Sequence, residues 1–158
     1  PTNRRHVMTV GIALPRKIVA DWALDLSGVL HPSNKIMRIE LTEGKKKTAA
    51  LLMTAGDSQL TYRFEMAIRA GNLAPEADDL NNDEELSFEA ALVTHRGVTY
   101  YDRQYSPADV PWVTVGTGSQ YAAALIDAGM TPEDAVRLTC TRIAGCGLMG
   151  KEPNVEVI

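Results

Sequence analysis

The sequence predicts an α+β domain of stacked sheets with helices on their outer sides. Three observations lead there. Four strand-like segments precede the first helical pattern, and two helical segments later follow one another directly between short strands. Sheets and helices each bury one face, so this order is met by sheets packed on each other with helices outside. With 158 residues, 45% of them hydrophobic and 23% charged, the chain has the material for one buried core.

The elements follow in order. Residues 7–14 are mostly apolar, Pro15-Arg16 breaks the run, and Lys17 to Trp22 resumes it, which predicts a hairpin with a buried face. Leu26-Ser27-Gly28 and His31-Pro32-Ser33 read as turns. Lys35 to Leu41 alternates polar and apolar residues like a half-buried strand. Glu43-Gly44-Lys45-Lys46 is a turn, and Thr48 to Met53 reads as a strand covered on both faces. Lys45, Lys46 and Lys47 are expected at a solvated hairpin tip, not in a binding patch.

A helix is expected from Gly56-Asp57, with Leu60, Phe64, Ala67 and Ile68 on one face and Gly71-Asn72 at its end. Residues 74–85 are acidic and poor in apolar groups. They read as an exposed loop, without the ordered alternation and glycine of a calcium loop. Phe88 to His95 and Val98 to Arg103 form a hairpin around Arg96-Gly97. Pro107 and Pro111 bracket a loop, and Trp112 to Val115 is a short strand. Gly116-Thr117-Gly118 turns it into a helix with Tyr121, Ala122, Leu125 and Ile126 on one face, closed by Gly129. Thr131-Pro132-Glu133-Asp134 opens the next helix with an N-cap hydroxyl and a proline at its first position. That helix ends near Gly145-Cys146-Gly147, and Pro153 to Ile158 is the last strand. Residues 1–158 thus read as one domain without repeat or linker.

Several function classes receive no support. The net charge of −4 gives no reason to expect nucleic acid or a membrane surface as partner. No apolar run approaches the ~20 residues that cross a bilayer, and no signal peptide opens the chain. Pro1 is expected as the natural start, an initiator methionine before it being removed. His6, His31 and His95 lack ligand spacing, so no metal is expected. Cys140 and Cys146 match neither a zinc knuckle nor a redox pair and read as small buried residues of a reducing compartment. Gly116-Thr117-Gly118 lacks the third glycine of a dinucleotide fingerprint, because position 121 is Tyr121, and no early βαβ unit supports it. No Gly-x-Ser-x-Gly elbow is present, and no cofactor is expected.

Asp21 ends one apolar strand and Lys35 opens the next. Spacing alone favours an ion pair that ties two strands. The other reading is a lysine whose charge tunes a neighbouring nucleophile or amine.

Taken in order, these segments resemble the proteasome β-subunit family, which includes the HslV peptidases. The segments are Val7-Met8-Thr9-Val10-Gly11-Ile12; Ile18-Val19-Ala20-Asp21, then Gly28, then Lys35-Ile36; Ala55-Gly56-Asp57-Ser58-Gln59; Thr114 to Ala122 around the glycine turn; and Thr131-Pro132-Glu133-Asp134-Ala135. The resemblance implies a four-layer αββα sandwich of N-terminal nucleophile hydrolase type, here with the second helix shortened or absent, assembled into stacked rings. Active members of that family use an N-terminal threonine freed by processing. Its α-amine serves as base, an acid and a lysine tune it, a backbone amide stabilises the oxyanion, and a serine in the glycine turn assists.

Carried over by position, the nucleophile falls on Val7, which has no nucleophilic atom. The acid falls on Asp21, the lysine on Lys35, the oxyanion amide near Met53 and the assisting serine on Thr117. The arginine and threonine expected after the acid are Ala23 and Asp25. Residues 1–6 stand before the strand head, so no free amine is expected there. Cleavage between Met8 and Thr9 would make Thr9 an alternative nucleophile, two residues late, which is roughly 6–7 Å along a strand.

The expectation is therefore a vestigial pocket of Val7, Asp21, Lys35, Met53 and Thr117 in a non-catalytic, ring-forming structural or assembly subunit, with a phage particle as one setting. The alternatives are a threonine-type endopeptidase of an HslV-like or bacterial proteasome-like complex, and an inactive companion in a mixed peptidase ring. The arm Arg4-Arg5-His6 is expected to touch other subunits, in a bacterial cytoplasm or, if phage-encoded, a virion.

Overall fold

The computed structural model describes residues 9–26 and 29–158, and of Asp25 and Leu26 the backbone alone. Its elements are β1 (Gly11–Leu14), β2 (Lys17–Ala20), β3 (Ala23–Leu26), β4 (Val29–Pro32), β5 (Ile36–Glu43), β6 (Lys46–Gly56), α1 (Ser58–Arg69), β7 (Phe88–Thr94), β8 (Gly97–Tyr101), β9 (Pro107–Val110), β10 (Val113–Val115), α2 (Ser119–Asp127), α3 (Pro132–Arg142) and β11 (Asn154–Val157). One sheet has the order β10-β1-β2-β11, another β5-β6-β7-β8-β9, and β3 pairs only with β4. The strand pairs are antiparallel.

Strand alternation divides the core into layers. Ile18, Ala20, Leu51, Met53, Ala91, Val93 and Val115 meet between the two large sheets. The other side of the five-stranded sheet offers Ile39, Ala50, Leu52, Ala90 and Leu92 to Leu60, Phe64 and Ile68 of α1. The other side of the four-stranded sheet offers Ile12 and Val19 to Ala122 of α2 and to Ala135 and Val136 of α3. Helix, sheet, sheet and helix thus stack as the αββα sandwich. β6 is buried on both inner and outer faces from Ala50 to Met53, which explains its continuous apolar run.

Local chemistry sets the helix ends. The Asp57 carboxylate accepts the backbone N–H groups of Gln59 and Leu60 and starts α1. Phe64 then sits among Phe88, Tyr101 and Tyr105, with ring centroids 4.7–5.3 Å away, a geometry that adds to burial. Thr131 caps α3 by accepting the Asp134 N–H at 3.2 Å. Thr131→Ala is expected to cost about 1 kcal/mol in urea unfolding, with Thr131→Ser close to wild type.

Three expectations are corrected. Val29–Pro32 is strand β4, although His31-Pro32-Ser33 read as a turn; all four of its residues are exposed, so no burial period marked it. Pro107–Val110 is strand β9 at a sheet edge, where a proline needs no ladder partner on its nitrogen side. The acidic loop 74–85 contains a 3-10 turn at Asp79–Asn82, in which Asn81 is wholly buried and donates to the Arg103 carbonyl at 2.7 Å. That turn stands where the resemblance implied a second helix.

The buried thiols and phenols make a pH prediction. Burial raises Cys140 and Cys146 from the ordinary 9.0 to about 12 and Tyr101 from 10.0 to about 12. Each is an acid kept neutral by the fold, so the unfolded chain holds fewer protons once these groups ionise, and stability falls as pH rises from about 9 to 12. Lys35 has the opposite sign: burial lowers its value, so its contribution to stability grows as pH approaches 10.5. Burial raises Tyr100 and Tyr105 in the same sense, so five groups oppose one, and the urea midpoint is expected to drop across this alkaline range. A flat or rising midpoint would contradict the assignment.

Candidate functional site

The β1–β2 hairpin builds the site. Its register sets Gly11 opposite Ala20, so the residues just outside, Thr9 and Val10 on one side and Asp21 on the other, lie together at the strand head. The Asp21 N–H donates to the Val10 carbonyl at 3.1 Å and continues the ladder by one bond. The Asp21 side chain is wholly buried. Its Oδ1 accepts the Thr9 hydroxyl at 2.6 Å, the Lys35 ammonium at 2.9 Å and the Val10 N–H at 3.3 Å. Its Oδ2 accepts the Gly147 N–H at 3.0 Å. Four donors on one carboxylate offset the cost of burying the charge.

Lys35 is nearly as enclosed, its side chain 4% exposed. Burial is the largest influence and lowers its pKa; the Asp21 charge and hydrogen bond push back. Asp21 and Lys35 are also the two stems of the β3–β4 hairpin, so the ion pair ties that hairpin's base.

The glycine turn after β10 closes over the strand head. The Gly118 N–H donates to the Thr9 carbonyl at 3.2 Å. Gly116 has φ +97°, and a Cβ there would lie 2.2 Å from the Thr9 carbonyl oxygen. A Cβ on Gly118 would meet Thr139 Cγ2 at 2.7 Å and Val10 Cβ at 3.1 Å. Only glycine allows this approach. From the other sheet, Glu89 on β7 accepts the Gly116 N–H on one carboxylate oxygen and the Tyr100 hydroxyl, at 3.0 Å, on the other.

The structure therefore gathers Thr9, Asp21 and Lys35 into one hydrogen-bonded chain. Thr9 is wholly buried. Thr117 is exposed on the turn that covers it. Met53 is wholly buried in the layer between the sheets, its sulfur against Gly11, so its side chain is spent on packing. Val7, the arm Arg4-Arg5-His6, Gly28 and the side chain of Asp25 lie outside the described residues. The sequence reading missed Gly147, taken only as a helix end, and Glu89, whose one signal was a charge inside the apolar run Phe88 to Val93. Among the described residues there is no group of three or more His, Cys, Asp or Glu that would hold a metal ion, and no helix long and apolar enough to cross a membrane.

The αββα sandwich is also the fold of solved HslV-type structures. Eukaryotic HslV from Trypanosoma brucei superposes with a TM-score of 0.64 at 15% identity, covering 94% of this chain and 97% of that one. Thiobacillus denitrificans BPH gives 0.63 at 15% identity over 96% and 97%. The same protein in complex with epoxomicin gives 0.61 at 16% over 96% and 98%. No protein-family model and no curated protein matches the chain. The chain thus shares the fold of these proteins along nearly its whole length, at low identity.

Proposed function

We propose that the chain is a non-catalytic subunit on the HslV fold, which forms a ring and serves as a structural or assembly component; a phage particle is one setting. One observation carries this reading. The hydroxyl that reaches the Asp21 carboxylate, which Lys35 also pairs with, belongs to Thr9, which is wholly buried and directs its proton into Asp21, whereas position 7, where the resemblance sets a nucleophile, is valine.

A threonine nucleophile needs an accessible oxygen and a base with a free lone pair. Thr9 Oγ1 has no solvent access, and its carboxylate partner is already occupied by Lys35 and two backbone N–H groups. The Thr9 nitrogen is in a peptide bond to Met8, so it is no free amine. The trio serves to hold the strand head, the hairpin base and the 147 loop in register.

A second reading is favoured by the same hydroxyl–carboxylate–ammonium chain: cleavage between Met8 and Thr9 would expose Thr9 as the nucleophile of a peptidase. Native mass spectrometry and N-terminal sequencing of the purified protein test both. The leading reading predicts a closed ring of chains that retain the residues before Thr9. A monomer at micromolar concentration contradicts the ring, and chains that begin at Thr9 favour the peptidase.

A further inference from the structure

Hairpin tips from both sheets meet at one end of the sandwich, away from the strand-head pocket. Arg16 of the β1–β2 turn, Thr48 and Ala49 of β6 and His95 of the β7–β8 turn line one cavity of about 240 Å3. Arg96 of the β7–β8 turn pairs with Glu43 of β5 at 3.1 Å, so the β5–β6 tip is there too. That end carries Arg16, Lys45, Lys46, Lys47 and Arg96, all exposed. The lysines alone read as a solvated tip; the fold adds two arginines from separate hairpins.

The opposite end carries an excess of acids, although Arg103 lines its cavity and Arg63 pairs with Asp78 of its loop. β7 runs about 20 Å from the His95–Arg96 turn to Phe88. Beside Phe88, Glu84 and Asp102 line another cavity, and the acidic loop returns along this side, held by Asn81 and Gln104. Glu76, Asp79 and Glu84 of that loop are exposed, and no Lys or Arg occurs between Arg69 and Arg96. The length of β7 keeps the His95–Arg96 turn away from Glu84 within one copy.

We propose that the basic end of one copy docks on the acidic 76–85 face of the next. The inference rests on the ring-forming reading and specifies its contact. Two different, complementary surfaces on one chain make a heterologous interface, which closes into a ring when the rotation per copy permits. A second copy is favoured over a free polyanion because the chain carries a net −4 and its densest acidic run is its own loop.

The test uses the full chain and two charge reversals, Lys45→Glu/Lys46→Glu/Lys47→Glu and Glu76→Lys/Asp79→Lys/Glu84→Lys, all at exposed positions. Each variant's urea midpoint is checked to establish that it folds. Sedimentation should show each reversed protein assembling at least about tenfold more weakly than wild type, and the equimolar mixture recovering assembly, since each reversed surface then finds its complement. Raising salt from about 0.05 M to about 0.5 M should weaken wild-type assembly about tenfold or more. Assembly that survives both reversals and high salt overturns this contact while leaving the ring standing. A wild-type monomer at low salt overturns the ring itself. Binding to single-stranded DNA that is lost only in the lysine variant, with assembly untouched in both, assigns the basic end to a polyanion instead.

Discussion

Asp21→Ala is expected to destabilise the protein by about 3–5 kcal/mol, read from urea unfolding. The substitution removes the acceptor of four donors at once: Thr9 Oγ1, Val10 N–H, Lys35 Nζ and Gly147 N–H. Lys35 is the costly one, because an ammonium with 4% of its side chain exposed loses its counter-charge. The orphaned N–H groups of Val10 and Gly147 add to the loss. Asp21→Asn keeps an oxygen for some of these bonds and should lose less. The double variant Asp21→Ala/Lys35→Met should be less damaging than Asp21→Ala alone, since an apolar pair replaces a buried ammonium that has lost its Asp21 contact. A loss under about 1 kcal/mol for Asp21→Ala would show that the carboxylate does not organise the strand head.

Gly116→Ala is the second large effect, expected at about 3 kcal/mol. A positive φ costs a non-glycine residue about 1–2 kcal/mol, and here the added methyl would also press on the Thr9 carbonyl, at 2.2 Å. Relief requires the turn to lift, which breaks the Gly118 N–H bond to Thr9 and pulls Gly116 from Glu89. The loss should come with faster hydrogen exchange at the Gly118 amide. Gly44→Ala is the control: its φ is +62°, yet nothing lies within 4 Å of the added carbon, so it carries strain without collision and should cost about 1–2 kcal/mol. Equal losses at the two positions would remove the case for a tight clasp on Thr9.

The comparison of sequence with structure turns on burial. β1, β2, β6 and α1 were legible because one or both faces enter the core, which leaves a period or an apolar run in the residues. β4 and β9 were not, because Val29–Pro32 and Pro107–Asp109 are exposed and leave no period. Asp21 and Lys35 stood out as charges at the ends of apolar strands, and the structure joins them at 2.9 Å. Gly147 and Glu89 were hidden because each acts through chain folding: one lends a backbone N–H from beyond α3, the other reaches over from the second sheet. Met53 stood out only as the position of an oxyanion amide, and strand alternation turns its side chain onto Gly11 between the sheets.

The central proposal is that the Thr9–Asp21–Lys35 cluster holds the strand head together and does not attack peptides. The most direct measurement is intact mass after incubation with an epoxyketone or vinyl sulfone probe that captures threonine nucleophiles. The account predicts an unmodified chain that still carries the residues before Thr9. A one-to-one adduct on a chain beginning at Thr9 would contradict it.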